Sequence, residues 1–307
     1  MKKRSHSYFI GIKCFKQILI LIIIFNFLFS INQTLSSESV ENSIIFVSDL
    51  GLGNFTTIQE AIDAAESGDT IYVFNGTYFE NVVIDKSIDL IGENKTNTII
   101  NGRGAGNVIK INAENVIIQG FSIQHSGLIF PNAGINLSSN NNVIEDNILM
   151  NNFYGMTLYV SSENTIRRNI IKNNDHCGIY MSKSSNNTIT NNTIQYHNYN
   201  GIGIYDSSDS NTIQKNSLNN NDFCGINIRI SSNNNIKNNN ISDNNIGVHI
   251  PQSKNTVEDN ILSNNRIDID KEILPSGLES YLIIAIVVII VLIGFIFYVK
   301  IRKKKTS

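Results

Sequence analysis

The sequence has no tryptophan and only three cysteines, and its 24 lysines and arginines nearly balance its 26 aspartates and glutamates. A charge balance this close to neutral gives no reason to expect a nucleic-acid partner, because phosphate backbones are bound by clustered positive charge. Leucine is scarce in the middle of the chain, and no helix-length amphipathic stretch occurs there. No His-x-His, Cys-x-x-Cys or methionine cluster occurs, so the sequence offers no convergent soft-ligand set for a metal. No metal or other cofactor is expected on these grounds. Asparagine, isoleucine and serine are what the middle of the chain has in quantity.

The two ends differ from the middle. Lys2, Lys3, Arg4, Lys13 and Lys16 precede an apolar run from Ile18 to Ile31. This pattern predicts a signal peptide or N-terminal anchor over 1–31; the poor small-residue cleavage pattern leaves both open. Leu282 to Tyr298 is apolar and is followed by Lys300, Arg302, Lys303, Lys304 and Lys305. About 20 apolar residues span a bilayer, and a basic cluster stays on the cytoplasmic side. The expectation is a linker over 271–280, a transmembrane helix over 281–299 and a cytoplasmic tail over 300–307. A domain over 45–270 would then face outward from the cell membrane, where exposed N-x-S/T sequons such as Asn186 could carry glycans.

That domain repeats. The pattern N-x-I-x-x-N-x-I begins at Asn142, Asn164, Asn187, Asn211, Asn234 and Asn255, with a degenerate copy at Val116. A glycine follows the second asparagine of successive copies, at Gly155, Gly178, Gly201, Gly225 and Gly247. Between the asparagines lie short alternating β-branched stretches, which read as strands. A repeat of this length built only from strand and turn predicts a right-handed parallel β-helix with one coil per repeat. Nine or ten coils stacked at the strand spacing would extend about 45 Å. Equivalent asparagines would form ladders, isoleucine would fill the interior, and glycine would make the turn into the next strand. A leucine-rich repeat has a similar period but needs an L-x-x-L-x-L core. Upstream, Thr57 and Glu60 read as a capping box that starts a short helix with Ile58, Ala61, Ile62 and Ala65 on one side. Such a helix would close the open end of the stack.

The segment "TIQEAIDAAESGDTIYVFNGTYFENVVIDKSIDLIGEN" resembles the opening of pectin methylesterases and pectate-lyase-like β-helix proteins. The repeats resemble the β-helix domain of NosD-type periplasmic copper-binding proteins, within the wider group of carbohydrate-binding and sugar-hydrolase β-helices. The two resemblances cover roughly residues 45–270. They imply the fold strongly and an activity weakly, since one scaffold hosts many activities. The pectin-methylesterase catalytic aspartate pair cannot be placed, and the polygalacturonase Gly-His-Gly and Arg-Ile-Lys are missing. Asp175-His176 is only a faint echo of the Asp-Pro-His of β-helix uronan epimerases.

If the residues one and three after each glycine point inward, those two and four after it point outward. The outward columns are then Asn136, Thr157, Tyr180, Gly203, Asn227 and His249, and Ser138, Tyr159, Ser182, Tyr205 and Arg229. Two residues before the glycine stand Phe153, His176, Tyr199 and Phe223. Aromatic rings with polar neighbours suit stacking and hydrogen bonding to sugars, although each ring could equally serve only to stack coil on coil. The candidate ligand-binding residues are Tyr159, Tyr180, Tyr199, Tyr205, Phe223, Arg229 and His249.

Asp175 and Asp222 share a phase two coils apart, which implies ~9.6 Å between them. That is near the upper end for an inverting glycosidase pair. The same slot (Asn152, Asp175, Asn198, Asp222, Asn244) is also what a turn selects, and that reading is preferred. Cys177 and Cys224 are likewise two coils apart, ~9.6 Å, beyond the reach of a disulfide. They are expected to be free thiols packed in the core. The favoured expectation is a non-catalytic surface protein that binds a polysaccharide or envelope glycan or acts as a scaffold. The alternatives are a polysaccharide lyase, hydrolase or epimerase using Asp175, His176, Asp222 and Arg229, and, from the resemblance, a NosD-like metal-handling protein.

Overall fold

The computed structural model describes residues 42–251 and 254–271. The segments predicted as signal, linker, membrane helix and tail lie outside the described residues, as does Cys14. No helix among the described residues is long and apolar enough to cross a membrane.

Short parallel strands form three sheets of ten, nine and nine strands among the described residues. The first sheet runs from Ile44–Val47 to Thr256–Glu258, the second from Gly76–Tyr78 to Ile261–Ser263, and the third from Val82–Ile84 to Ile267–Asp270. Ile44–Val47 pairs with the next strand, Thr70–Val73, and from there on strands pair with those three places along the chain. Thr165–Arg167, for example, pairs with Thr188–Thr190, and Ile170–Lys172 with Thr193–Gln195. The chain therefore winds through the three sheets once per coil, giving the expected parallel β-solenoid.

The middle residue of most three-residue strands points in and is fully buried, as Ile144, Ile166, Ile189, Ile213 and Ile236 are in one column. Identical β-branched side chains stack one strand spacing apart and fill the interior. Each buried isoleucine contributes about 2 kcal/mol by removing apolar surface from water.

The asparagines hold the corners. Asn169 shows how: its backbone N–H donates to Asn192 Oδ1 on the next coil at 2.9 Å, while its Nδ2 donates back to the Ile144 carbonyl at 2.8 Å. One side chain thus satisfies backbone groups on both sides of a corner where strand pairing stops. Each such bond is worth about 1 kcal/mol net, and leaving its partner buried and unpaired would cost more. The residue before each ladder asparagine takes the left-handed conformation that bends the chain, at Asn141, Asp146 and Asn151 in one coil. Asparagine and aspartate tolerate that conformation better than most residues.

A third asparagine column follows five residues after the second: Asn152, Asn174, Asn221, Asn244 and Asn265, with His197 in its middle position. Serines 161, 184, 208 and 231 make a fourth, the hydroxyls of Ser184, Ser208 and Ser231 each accepting the N–H of the serine one coil before.

The glycine column has a different role from the one expected. Gly178 does not take a left-handed conformation; a Cβ there would lie 2.7 Å from the Gly201 carbonyl and 2.6 Å from His197 Nε2. Glycine is required because successive coils approach too closely for a side chain, and the turns are made by the residues before the ladder asparagines.

At the N-terminal end, helix α1 spans Ile58–Ala64 and buries Ile58, Ala61 and Ile62. Thr57 Oγ1 accepts from the Glu60 N–H. Glu80, distant in sequence, supplies the other cap: its carboxylate accepts from the N–H groups of Ile58 and Gln59, each at 2.9 Å.

Candidate functional site

The outer face of the third sheet gathers the aromatic residues. Register pairs Asn136 with Thr157, Thr157 with Tyr180, Tyr180 with Gly203, Gly203 with Asn227, and Asn227 with His249, the outward column that the spacing predicts. The exposure differs from expectation. Asn136, Thr157, Asn227 and His249 are each less than a tenth exposed, because neighbouring side chains lie across them.

Tyr205 illustrates the covering. Its ring folds over Gly203 and occupies the space a Cβ would take, and its hydroxyl accepts from Asn200 Nδ2 at 2.9 Å. Burial pushes its pKa well above the ordinary tyrosine value.

Beside this column runs the predicted aromatic ladder. His176 stacks on Tyr199 with centroids 4.7 Å apart, and Tyr199 on Phe223 at 5.1 Å and 7°. Beneath it Tyr154, Cys177 and Ala133 form a small apolar cluster separate from the coil interior. Cys177 and Cys224 are buried and free, as expected, and Cys177 packs in this small cluster with Ala133 and Tyr154. Burial pushes each thiol up to about 12. Burial also lowers the pKa of His176, whose Nδ1 lies 3.2 Å from Cys177 Sγ.

Where this face meets the Gly127–Asn132 loop a cleft of about 520 Å³ opens. Phe130, Pro131, Tyr159 and Tyr180 line it, with Asn136, Thr157 and Ser182 between them. The Phe130 ring stands edge-on to Tyr180 at 6.2 Å. Asn107, Lys110, Ser138, Lys183 and Asp206 complete the lining, Asp206 accepting from the Ser182 hydroxyl at 3.1 Å. Phe130 in the lining is a feature the repeat reading missed. Its signal is the interval from Val116 to Asn142, which is 26 residues where the next is 22. The extra residues form the loop, with Leu128, Ile129 and Phe130 exposed at its tip.

The predicted site residues are therefore divided. Tyr159 and Tyr180 reach the cleft, while Tyr199 and Phe223 continue as a strip along the same face. Arg229 and His249 sit further on: His249 is buried, with Nδ1 2.8 Å from Asp270 Oδ2 and Nε2 3.4 Å from Arg229 Nη2. Asp175 and Asp222 are exposed turn residues, as is Asn198. Asn152 and Asn244, assigned to the same slot from the glycine spacing, are instead buried members of the third ladder, because the coils differ in length between ladder and glycine. Asp222 lines a second, more open and polar hollow with Tyr196, Asp243 and Arg266. Asp175, His176, Asp222 and Arg229 do not form one constellation.

The family described as periplasmic copper-binding protein (NosD) matches residues 62–228 and 207–273. No curated protein matches the sequence significantly. Among solved structures, the chain is similar to XylC in complex with xylose (TM-score 0.57, 13% identity, 69% of this chain and 64% of that one). It is also similar to the catalytic unit of the GH87 α-1,3-glucanase of Streptomyces thermodiastaticus (TM-score 0.56, 16% identity, 67% and 43%). The mannuronan C-5 epimerase AlgE6 A-module of Azotobacter vinelandii matches at TM-score 0.49 and 18% identity, over 66% of this chain and 71% of that one. At these identities the likeness is one of fold, that of the pectate-lyase-like right-handed β-helices.

The copper named in the family description does not fit the described residues. Copper needs imidazole, thiolate or thioether ligands that converge, and no group of three or more His, Cys, Asp or Glu is placed to hold a metal among those residues. His197 has both ring nitrogens engaged by backbone of its own coil stack. His249 is held between Arg229 and Asp270, and His176 has one sulfur neighbour, a thiol that burial keeps protonated.

Proposed function

This chain belongs to the NosD family, and from that premise we propose that it is a non-catalytic, carbohydrate-binding β-solenoid of the cell envelope. The observation that carries the reading is the 520 Å³ cleft lined by Phe130, Tyr159 and Tyr180. Apolar ring faces receive the C–H faces of a pyranose ring, and the exposed polar groups around them, Lys110, Tyr159, Lys183 and Asp206, offer hydrogen bonds to its hydroxyls. The strip from His176 to Phe223 extends the contact along the solenoid, which suits a polymer better than a single sugar. The β-solenoid relationship to carbohydrate-active proteins is consistent with such a ligand. The catalytic alternative has weaker support, because Asp175, His176, Asp222 and Arg229 do not converge.

In this reading 1–31 directs export, 281–299 anchors the chain in the membrane, and 271–280 links the anchor to the solenoid. Helix α1, packed against the first coils, caps the N-terminal end.

The test is retention of the full-length protein on immobilised polysaccharides of several classes. Retention by one class, weakened at least fivefold by Tyr180→Ala and by Tyr159→Ala, is the expected result. Absence of retention on every class removes the carbohydrate reading and leaves a scaffold.

A further inference from the structure

We propose that the cleft selects an anionic glycan, its acid groups held by Lys110 and Lys183; this deepens the carbohydrate reading and rests on it. Most other polar groups around the cleft already have partners within the fold. Asn136 Nδ2 donates to Thr157 Oγ1 at 2.8 Å, Ser138 donates to Asn136 Oδ1 at 3.1 Å, and Ser182 donates to Asp206. Asn107 Oδ1 accepts from the Ala133 N–H. The two ammonium groups are the exception: among the described residues neither lies in an ion pair. Both approach the same cleft from different coils, Lys110 from the strand Ile109–Ile111 and Lys183 from the corner after Ile179–Ser182. The Lys183 ammonium lies 6.0 Å from the centre of the Tyr159 ring, so charge and stacking surface adjoin.

The column of which Lys110 is part also carries a direction. Successive coils lead from Lys110 through Asn136, Thr157 and Tyr180 to His249 and, last, Asp270. Within this column the cation lies at the cleft and the carboxylate at the far end; the cleft's own carboxylate, Asp206, accepts from the Ser182 hydroxyl. A neutral glycan gains no ion pairing from this arrangement. A glycan bearing carboxylate or sulfate groups gains charge-assisted hydrogen bonds at the cleft. Carboxylate and sulfate present the same oxygen acceptors, and the two are separated by experiment.

The experiment uses the full chain in detergent micelles and measures affinity for a neutral glucan, a polyuronate and a sulfated galactan. The expected result is tighter binding of one or both anionic polymers, weakening as salt rises from about 50 to 500 mM because the contacts are exposed. Lys110→Gln and Lys183→Gln should each reduce that affinity about three- to tenfold, a larger loss than either causes in neutral-glucan binding. The basic residues after Lys300 remain in both variants and serve as an internal control. Salt-sensitive binding that neither substitution affects places the charge contact elsewhere and overturns the proposal. Equal binding of neutral and anionic polymers also overturns it while leaving the carbohydrate reading intact, and absence of all binding removes both.

Discussion

Replacing His197 by asparagine should abolish an acid sensitivity built into the solenoid. His197 fills one position of a column that is otherwise asparagine from Asn152 to Asn265. Its Nδ1 accepts from the Asn174 N–H at 3.2 Å, and its Nε2 lies 3.2 Å from the Ile171 carbonyl, to which it donates. One nitrogen must accept and the other donate, so the ring is neutral in the folded state. A proton on Nδ1 would set two donors against each other. Burial drives its pKa from 6.5 down to about 4, against a partial opposing effect of the Ile171 carbonyl.

The unfolded chain therefore binds the proton more readily. The stabilisation from neutral His197 is complete above pH 6.5 and is lost as pH falls through 4. A depression of about 2.5 units corresponds to about 3 kcal/mol. The measurement is urea denaturation followed by circular dichroism at pH 7 and pH 4, on the wild-type chain and on His197→Asn. The wild type should lose about 3 kcal/mol more than the variant over that interval, since every other group is common to both. At pH 7 the variant should be at least as stable, because asparagine serves the same slot in the neighbouring coils. Parallel losses in the two proteins would refute the argument.

Three further outcomes are expected. Asn227 is buried with both Oδ1 and Nδ2 lacking a partner, so Asn227→Leu should stabilise by about 1–2 kcal/mol in chemical denaturation; destabilisation would mean that the amide has a role in packing. Ile230 is exposed and held at φ +53°, a region costly for a β-branched residue. Ile230→Asn should raise stability by about 1 kcal/mol, and a lower melting temperature would contradict the strain argument. Cys177 and Cys224 should resist thiol reagents at pH 8 in the native protein and react fully after denaturation, as counted by mass spectrometry; rapid native labelling would mean that the covering face opens.

The solenoid was legible because its period is written in residues that can do little else at that spacing. Asn142, Asn147 and their equivalents mark two corners per coil, and the aliphatic residue two places after each, mostly isoleucine, marks the interior. The third corner was harder to read because His197 interrupts it and because the intervals to the following glycine vary. Counting back from the glycine therefore merged the exposed Asp175 and Asp222 with the buried Asn152 and Asn244. The glycines themselves were misread as turn residues, since sequence does not distinguish a left-handed backbone from a close approach of two coils.

The sequence by itself determined which residues share a column, because stacking coils of near-constant length leaves little freedom in register. That is why Tyr180, Gly203, Asn227 and His249 could be aligned without coordinates. Tertiary structure alone decided which members of a column meet solvent. Tyr205 lies over Gly203, His249 is buried beside Arg229 and Asp270, and the Phe130 loop turns an otherwise open face into a cleft at Tyr159 and Tyr180. The covering depends on side-chain direction and on one insertion, and a repeat period encodes neither.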